Sequence, residues 1–407
     1  MQRVVITGVG IYSCIGKNLE EVRDSLFYGK SGIIYSPERK LLGYRSALTG
    51  KVDRPNLKEV INRRARVTLP EHREYAYIST VEALKNASLD QDFMDKHEVG
   101  IIMGNDTCAQ AVIEANDILR SKKDTSYIGS GAVFQSLNST ISMNLSTIFK
   151  LKGVNYCLSA TCASGSHSIG MASILIQNVW QDCIICGGAQ EVNDYSMSSF
   201  DAIWAFSTRE NDPTSVSRPF DKNRDGLVPS GGGATVILES LDFAQRCGAS
   251  ILAEVIGYGF SSNGEHISNP SVEGPLRALN MSMKRANLKA NDLDYINAHA
   301  TSTISGDIKE AESIYEMLGG QPVPVSSTKS MTGHECWMAG ASEIVYSILM
   351  MQNSFIAPNI NFENRDESIP NLNIINRTKE KSIDIFLSNS FRFVGTNSSI
   401  VVKKFKP

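Results

Sequence analysis

The chain contains 407 residues, and its 40 Lys and Arg against 43 Asp and Glu leave a formal net charge of −3. This near balance argues against a nucleic-acid-binding protein and against a protein of the membrane surface. No apolar run reaches the ~18 residues that a membrane-spanning helix needs.

The first residues, Met1-Gln2-Arg3-Val4-Val5-Ile6, enter a strand-like run without the pattern of a signal peptide. We therefore expect a cytoplasmic protein whose eight cysteines are reduced thiols. The pair in Cys183-Ile184-Ile185-Cys186 has redox-motif spacing, but its apolar neighbours favour a buried strand.

Short apolar strands alternate with amphipathic helices along the chain, which predicts an α/β fold with buried sheets. Several features recur in order, for example Gly8-Val9-Gly10 and Gly257-Tyr258-Gly259, each after a Val/Ile-rich strand. This recurrence predicts an internally duplicated unit with halves at residues 1–248 and 249–407. We interpret Gly8 and Gly10 as a glycine turn, because Gly16 comes too late for a dinucleotide motif.

Cys162 lies in the segment Ser159-Ala160-Thr161-Cys162-Ala163-Ser164-Gly165, between a strand-like run and a helix-like run. A thiol at such a corner meets the positive end of a helix dipole and free backbone N–H groups, which favour a thiolate. These are the needs of a nucleophile that accepts an acyl group from a thioester. The alternative is an inert, buried cysteine.

His299 and His334 lie in segments rich in small hydroxyl residues, and Lys329 precedes His334 by five positions. With a nucleophilic cysteine, two histidines suit thioester chemistry, since they can donate hydrogen bonds to a carbonyl oxygen that becomes an enolate. Metal binding is the competing interpretation. We predict no metal, because no two histidines have the helical spacing of paired metal ligands. Near the C-terminus, a polar and aromatic segment is interpreted either as a hairpin of the core or as a loop that places Phe393 over the thiol.

Several motifs in the same order carry a family resemblance over nearly the whole chain. They are VITGVG at the start, SATCASG at Cys162, SRPFDKNRDG from Ser217 to Gly226, NAHATST at His299, STKSMTGH ending at His334, and NSF with GTN around Phe393. The chain resembles the condensing enzymes of the thiolase-like superfamily, specifically the elongating β-ketoacyl-acyl-carrier-protein synthases of class I/II. The resemblance implies a duplicated thiolase fold with five αβαβα layers, and normally a homodimer.

The resemblance also implies an activity, the decarboxylative Claisen condensation of a cysteine-bound acyl group with malonyl-acyl-carrier protein in fatty acid elongation. Cys162 would be acylated, and His299 and His334 would bind the malonyl carbonyl and promote decarboxylation. No cofactor would be bound, since the substrates travel on the phosphopantetheine arm of the carrier protein. The supporting roles would be Lys329 and Glu343 in the histidine network, the backbone N–H groups of Cys162 and Phe393 in the oxyanion hole with Phe393 as gate, and Thr301 and Thr303 as phosphopantetheine contacts.

Two segments depart from the family pattern. After His334 the family usually shows a run of Leu, Gly and Ala, where this chain has Cys336-Trp337-Met338. The glycine-rich gate loop is replaced by Arg392-Phe393-Val394-Gly395. Because both changes add bulk or stiffness, a specialised ketosynthase of a polyene or polyketide pathway, paired with a chain-length factor, stays as the alternative function.

Acyl carrier proteins are acidic, so basic clusters are the expected docking surface. The candidates are Arg63, Arg66, Lys122 and Lys123, although a solvated face explains them equally well. Two other protein classes are disfavoured. A non-catalytic chain-length partner would lack Cys162, and a thiolase would need a second catalytic cysteine, for which Cys336 is the nearest candidate.

Overall fold

The computed structural model describes residues 1–264, 270–391 and 395–406. The helices of this part are α1 (Leu19–Tyr28), α2 (Pro37–Leu41), α3 (Arg63–Arg66), α4 (Glu71–Asn86), α5 (Gln91–Lys96), α6 (Ala109–Lys122), α7 (Ala132–Ser136), α8 (Thr140–Ile148), α9 (Ser164–Gln177), α10 (Asp194–Ala202), α11 (Leu241–Arg246), α12 (Glu273–Ala286), α13 (Ile304–Leu318), α14 (Lys329–Thr332) and α15 (Ala339–Asn353). None of the helices described is long and apolar enough to cross a membrane.

The strands are β1 (Val4–Ser13), β2 (Ile33–Tyr35), β3 (Leu48–Gly50), β4 (Val99–Gly104), β5 (Asn155–Leu158), β6 (Cys183–Gln190), β7 (Gly232–Ser240), β8 (Ala253–Ser262), β9 (Tyr295–Asn297), β10 (Pro324–Ser326), β11 (Phe355–Ile356), β12 (Asn373–Ile374), β13 (Lys379–Glu380), β14 (Ile385–Phe391) and β15 (Thr396–Lys404). Eleven of them form one sheet in the order β12-β10-β9-β14-β15-β8-β1-β7-β6-β4-β5.

The strand order repeats on the two sides of the β1–β8 pair. From the centre outwards it reads β1-β7-β6-β4-β5 on one side and β8-β15-β14-β9-β10 on the other. The first two pairings on each side are antiparallel and the next two are parallel. The predicted duplication is therefore visible in the topology, while the division at residues 248 and 249 stays a prediction.

Buried helices lie between the two halves of the sheet. Helices α9 and α15 pack against each other, α9 also against β4 and β6, and α15 also against β14. Residues Ala339–Met351 of α15 are all buried, as a helix covered on every side requires. On the other faces, α4 covers β1 and β7, and α12 covers β8 and β15. The two halves of the sheet form two layers, with a helical layer between them and a helical layer on each outer face. This is the predicted αβαβα arrangement.

The paired glycines serve this packing, and the predicted glycine turn at Gly8 and Gly10 is wrong. Both residues lie inside the fully buried strand β1. A Cβ at Gly10 would overlap the backbone of Ser79 on α4, and one at Gly259 would overlap Ala278 on α12. Glycine is thus needed where a helix backbone comes close to the strand. The Cys183–Cys186 segment lies in the buried strand β6, as its neighbours predict.

Candidate active site

Cys162 stands at the corner between β5 and α9, as the sequence predicts. A single turn at Thr161–Ala163 joins the strand to the helix. The backbone of Thr161 has φ +42°, in the left-handed region that a threonine seldom adopts. Such strain is typical of positions where the surrounding fold holds a functional residue. The sulfur is thereby presented at the N-terminal end of a helix of 14 residues.

Both predicted histidines reach this sulfur. Nε2 of His334 lies 3.0 Å from Sγ of Cys162. The rings of His299 and His334 stand edge to face, with centroids 5.2 Å apart and an interplanar angle of 88°. One ligand atom from each of the three side chains lies within 4.8 Å of the others. Residues from three separate segments therefore form one cluster, with the thiol facing two imidazoles.

Electrostatics keep the imidazoles neutral. Burial lowers the pKa of His299 well below its ordinary value, and the positive charge of Lys329 and the neighbouring His334 lower it further. Burial and then Lys329 likewise lower the pKa of His334. A neutral imidazole can donate a hydrogen bond without carrying charge, which is the state needed to stabilise a developing oxyanion.

Lys329 and Glu343 form a buried ion pair behind the histidines. Each residue is only 1% exposed. Burial raises the pKa of Glu343, and the ammonium group of Lys329 opposes that rise. The predicted pairing of Glu343 with the lysine is thus present in the geometry. Because the carboxylate holds the ammonium in place, the charge that acts on the imidazoles has a fixed position.

Two acidic residues that sequence analysis did not single out hold the His299 loop. Glu310 accepts hydrogen bonds from the backbone N–H groups of His299 at 2.8 Å and Ala300 at 2.6 Å. Asp307 accepts one from Thr301 at 3.0 Å. Both acids are buried, and burial raises the pKa of Glu310 to about 7. In the sequence, Asp307 and Glu310 could have been identified as supports of the His299 loop, because they lie one helical turn apart just after the histidine motif.

Cys162, His299 and His334 line a cavity of about 530 Å³. One part of its wall carries the hydroxyl groups of Thr301 and Thr303, whose Oγ1 atoms are 3.1 Å apart. Another part is apolar and is formed by Met197, Phe200, Phe206 and Trp337. The thiol is therefore reachable from a cavity that has both a polar and an apolar region.

Trp337 fills part of the apolar wall. It is 2% exposed, and its ring centroid lies 6.2 Å from that of Phe200. It belongs to a cluster with Tyr44, Met197, Phe206 and Cys336. The bulk that the sequence places beside the site is thus accommodated by packing within the apolar wall of the cavity.

The remaining predicted residues are not tested by this geometry. Phe393, with Arg392 and Val394, lies outside the described residues, so its role as gate and oxyanion donor stays a prediction. The docking candidates Arg63 and Arg66 lie on α3, whereas Lys122 lies at the end of α6 and Lys123 just after it; none of the four lines the cavity. A thiolate and two imidazoles are also ligands that zinc accepts, so the absence of a metal stays a prediction as well.

Comparisons with known proteins agree with this site. Residues 1–244 match the family described as the N-terminal domain of β-ketoacyl synthase, and residues 252–363 match its C-terminal domain. The chain is 42% identical over 408 residues to 3-oxoacyl-[acyl-carrier-protein] synthase 1 of Haemophilus influenzae, covering 100% of both chains. It is 39% identical over 409 residues to the synthase 1 of Escherichia coli strain K12, again over 100% of both.

Solved structures show the same fold. A β-ketoacyl synthase from Burkholderia phymatum superposes with a TM-score of 0.94 at 30% identity, with 100% of both chains covered. The ketosynthase of the AntDE:AntF complex, a type II polyketide system, reaches 0.90 at 27% identity, also over 100% of both chains. The chain therefore belongs to the β-ketoacyl synthase family of condensing enzymes. The predicted membership and the predicted thiolase fold are both confirmed.

Proposed function

We propose that this chain elongates fatty acids by condensing a Cys162-bound acyl group with malonyl-acyl-carrier protein. The observation that carries the assignment is the 3.0 Å approach of His334 Nε2 to Cys162 Sγ, with His299 edge to face against the same imidazole. Its relatives at 39–42% identity bear the name 3-oxoacyl-[acyl-carrier-protein] synthase 1. The polyketide and ishigamide ketosynthases among the solved structures are 26–27% identical, so the specialised alternative has less support.

The reaction begins with attack of the Cys162 thiolate on the acyl thioester, which transfers the acyl group to sulfur and releases the carrier arm as a thiolate that takes up a proton from solvent. Malonyl thioester then loses CO₂, and the electrons of the broken C–C bond move into an enolate. The enolate carbon attacks the acyl carbonyl on Cys162, and the sulfur leaves as thiolate. The products are CO₂ and a 3-oxoacyl thioester extended by two carbons.

The histidines act on the decarboxylation step. The negative charge that develops on the malonyl thioester oxygen needs donors, and the neutral imidazoles of His299 and His334 supply them. Losing one such donor typically costs ~3 kcal/mol in the barrier. Lys329 keeps both rings unprotonated, because a second positive charge nearby is unfavourable. The backbone N–H groups of Cys162 and Phe393 remain the proposed oxyanion hole for the acyl carbonyl.

The partner is an acyl carrier protein whose phosphopantetheine arm enters the cavity along Thr301 and Thr303. One solved relative is described as an acyl-carrier protein in complex with its ketosynthase. We further propose that no resident cofactor is needed, that the protein works in the cytoplasm, and that it forms a homodimer rather than a pair with a chain-length factor. The strand β5 ends the sheet and carries Tyr156 with 57% exposure, an edge suited to pairing with a second copy.

Intact-protein mass spectrometry tests the assignment. After exposure to acyl-carrier protein, the wild type should gain one acyl group, and Cys162→Ala should gain none. Cys247→Ala is the matched control, since Cys247 is an exposed thiol away from the cavity and its loss should leave acylation unchanged. His299→Ala and His334→Ala should still load an acyl group but should release CO₂ from malonyl-carrier protein far more slowly. Full condensation by Cys162→Ala would refute the proposal.

A further inference from the structure

Cys336 is a second thiol in the wall of the cavity that Cys162 lines. The proposed condensation uses only Cys162, so Cys336 has no role in that reaction. Its backbone φ is +45°, in the left-handed region that residues other than glycine seldom adopt. A residue held in such a conformation directs attention to what its side chain does at that position.

The two cysteines lie on matching turns of the duplicated fold. Cys162 is in the single turn Thr161–Ala163 before α9, and Cys336 begins the single turn Cys336–Met338 before α15. The first residue of each turn has a positive φ, +42° at Thr161 and +45° at Cys336. The two helices pack against each other, and the two turns are also in contact. Cys162 packs against the apolar cluster that contains Cys336, so the fold brings both thiols to one place.

The surroundings of the two thiols give them different reactivities. Cys162 lies 3.0 Å from Nε2 of His334 and at the N-terminal end of α9, a setting that favours a thiolate. Cys336 is 4% exposed, and its Sγ donates to the backbone carbonyl of His334 at 3.5 Å. Burial, and then the neighbouring Cys162, raise the pKa of Cys336 well above its ordinary value. An electrophile that enters the cavity therefore meets Cys162 first, with a protonated thiol beside it.

We propose that Cys162 and Cys336 form a reversible disulfide when a hydroperoxide enters the cavity. Cys162 is the cysteine that is oxidised, and Cys336 is the resolving cysteine, the one that closes the disulfide. The site is thus a modification site in addition to a catalytic one. Its effect is to hold Cys162 at a level of oxidation that a dithiol can reverse, because a sulfur left as sulfenic acid is open to irreversible oxidation to sulfinic acid.

The reaction takes two steps and transfers two electrons. In the first, the Cys162 thiolate attacks the terminal oxygen of hydrogen peroxide, the O–O bond breaks, and the hydroxide that leaves takes up a proton and becomes water. Cys162 then carries a sulfenic acid. In the second, the sulfur of Cys336 attacks the sulfur of Cys162, the S–O bond breaks, and the thiol proton leaves with the hydroxyl group as a second water. Two thiols and one peroxide thereby give one disulfide and two waters.

Peptide mapping by mass spectrometry tests the disulfide on the reduced, full-length protein. After hydrogen peroxide and then iodoacetamide, the wild type should be lighter by two hydrogens at this site and should yield one crosslinked pair of peptides, with Cys162 joined to Cys336. Dithiothreitol should return both thiols. In Cys336→Ala the same treatment should add two oxygens to Cys162, a sulfinic acid that dithiothreitol does not reverse. Cys336→Gly, which suits the left-handed backbone, should reproduce that result.

Cys14 and Cys247 supply matched controls. Cys14 is a thiol that does not line the cavity, and Cys247 is an exposed thiol. Cys14→Ala and Cys247→Ala should form the same crosslink as the wild type at the same peroxide concentration. Sulfinic acid at Cys162 in the wild type, or a crosslink from Cys162 to another cysteine, would overturn the proposal. So would a Cys336→Ala protein in which dithiothreitol restores Cys162 as fully as in the wild type. Since none of these measurements uses a carrier protein, their outcome is independent of the proposed condensation.

Discussion

The ammonium group of Lys329 and the carboxylate of Glu343 are paired in the interior, and the positive charge of this lysine lowers the pKa of both histidines that cluster with Cys162. The pair thus has a structural role and an electrostatic one. The first is to satisfy two buried charges. The second is to keep the rings of His299 and His334 neutral over the working pH range.

The electrostatic role predicts a shift in the pH profile. In Lys329→Met the pKa values of the two imidazoles should rise towards the ordinary value, because one of the causes that lower them is gone. Decarboxylation needs the neutral rings, so the acid limb of the rate profile should move to higher pH. The measurement is CO₂ release from malonyl-carrier protein between pH 5 and 9. Lys284→Met, on the exposed side of α12, should keep the wild-type profile, and a coincident profile for both variants would contradict this role.

The structural role predicts a non-additive effect on stability. Removing one member of a buried ion pair typically costs 3–5 kcal/mol, roughly, because the other charge is left uncompensated. Lys329→Met and Glu343→Gln should each lower the free energy of unfolding by about that amount. The double variant should lose clearly less than the sum of the two. Urea denaturation of the four proteins measures the cycle, and strict additivity would show that the two groups do not interact.

Glu310 predicts a positioning effect. In Glu310→Gln the acceptor for the N–H groups of His299 and Ala300 is weakened, so His299 should lose its fixed orientation. Decarboxylation should slow by about tenfold, as for a misplaced donor. Acyl transfer to Cys162 should be nearly normal, which mass spectrometry of the loaded enzyme measures. Glu312→Gln is the control, since Glu312 pairs with Lys309 instead of the loop, and equal slowing there would point to a general effect of the substitution.

Glu310 also predicts a pH effect with a defined sign. Its folded-state pKa is raised to about 7 by burial, while the unfolded value is ordinary. The folded protein therefore binds more protons than the unfolded chain at intermediate pH, and this group makes stability fall as pH rises from about 5 through 7. The slope is at most about 1 kcal/mol per pH unit. In Glu310→Gln this contribution should vanish, so the stability of the variant should fall less steeply than that of the wild type over the same range.

Trp337 predicts a change in acyl-chain preference. Trp337→Ala should enlarge the apolar region of the cavity and allow longer acyl chains to load on Cys162. Stability should fall by roughly 3–5 kcal/mol, as for other buried aromatic truncations, so Trp337→Leu is the gentler second variant. Mass spectrometry after exposure to a series of acyl-carrier proteins measures the preference. The same chain-length profile in wild type and both variants would show that another part of the cavity limits chain length.

Local patterns in the sequence identified much of this protein. The strand-to-helix corner at Cys162, the repeated glycine pairs and the ordered motifs around His299 and His334 are encoded within a few residues each. These short-range signals were enough to predict the family, the duplicated fold and the three central side chains. The turn predicted at Gly8 and Gly10 is wrong, because the chain alone does not show that α4 comes close to the strand that contains them.

Tertiary structure decided how these segments combine. The distance between Cys162 and His334, the burial that keeps two histidines neutral, and the hold of Glu310 on the His299 loop all depend on which strands and helices become neighbours. The same holds for Trp337, which the sequence shows only as a bulky residue after His334 and which the fold buries in the wall of the cavity. The reason is physical: periodicity and capping act within one element, whereas burial, charge coupling and cavity shape arise from packing between elements that are distant in sequence.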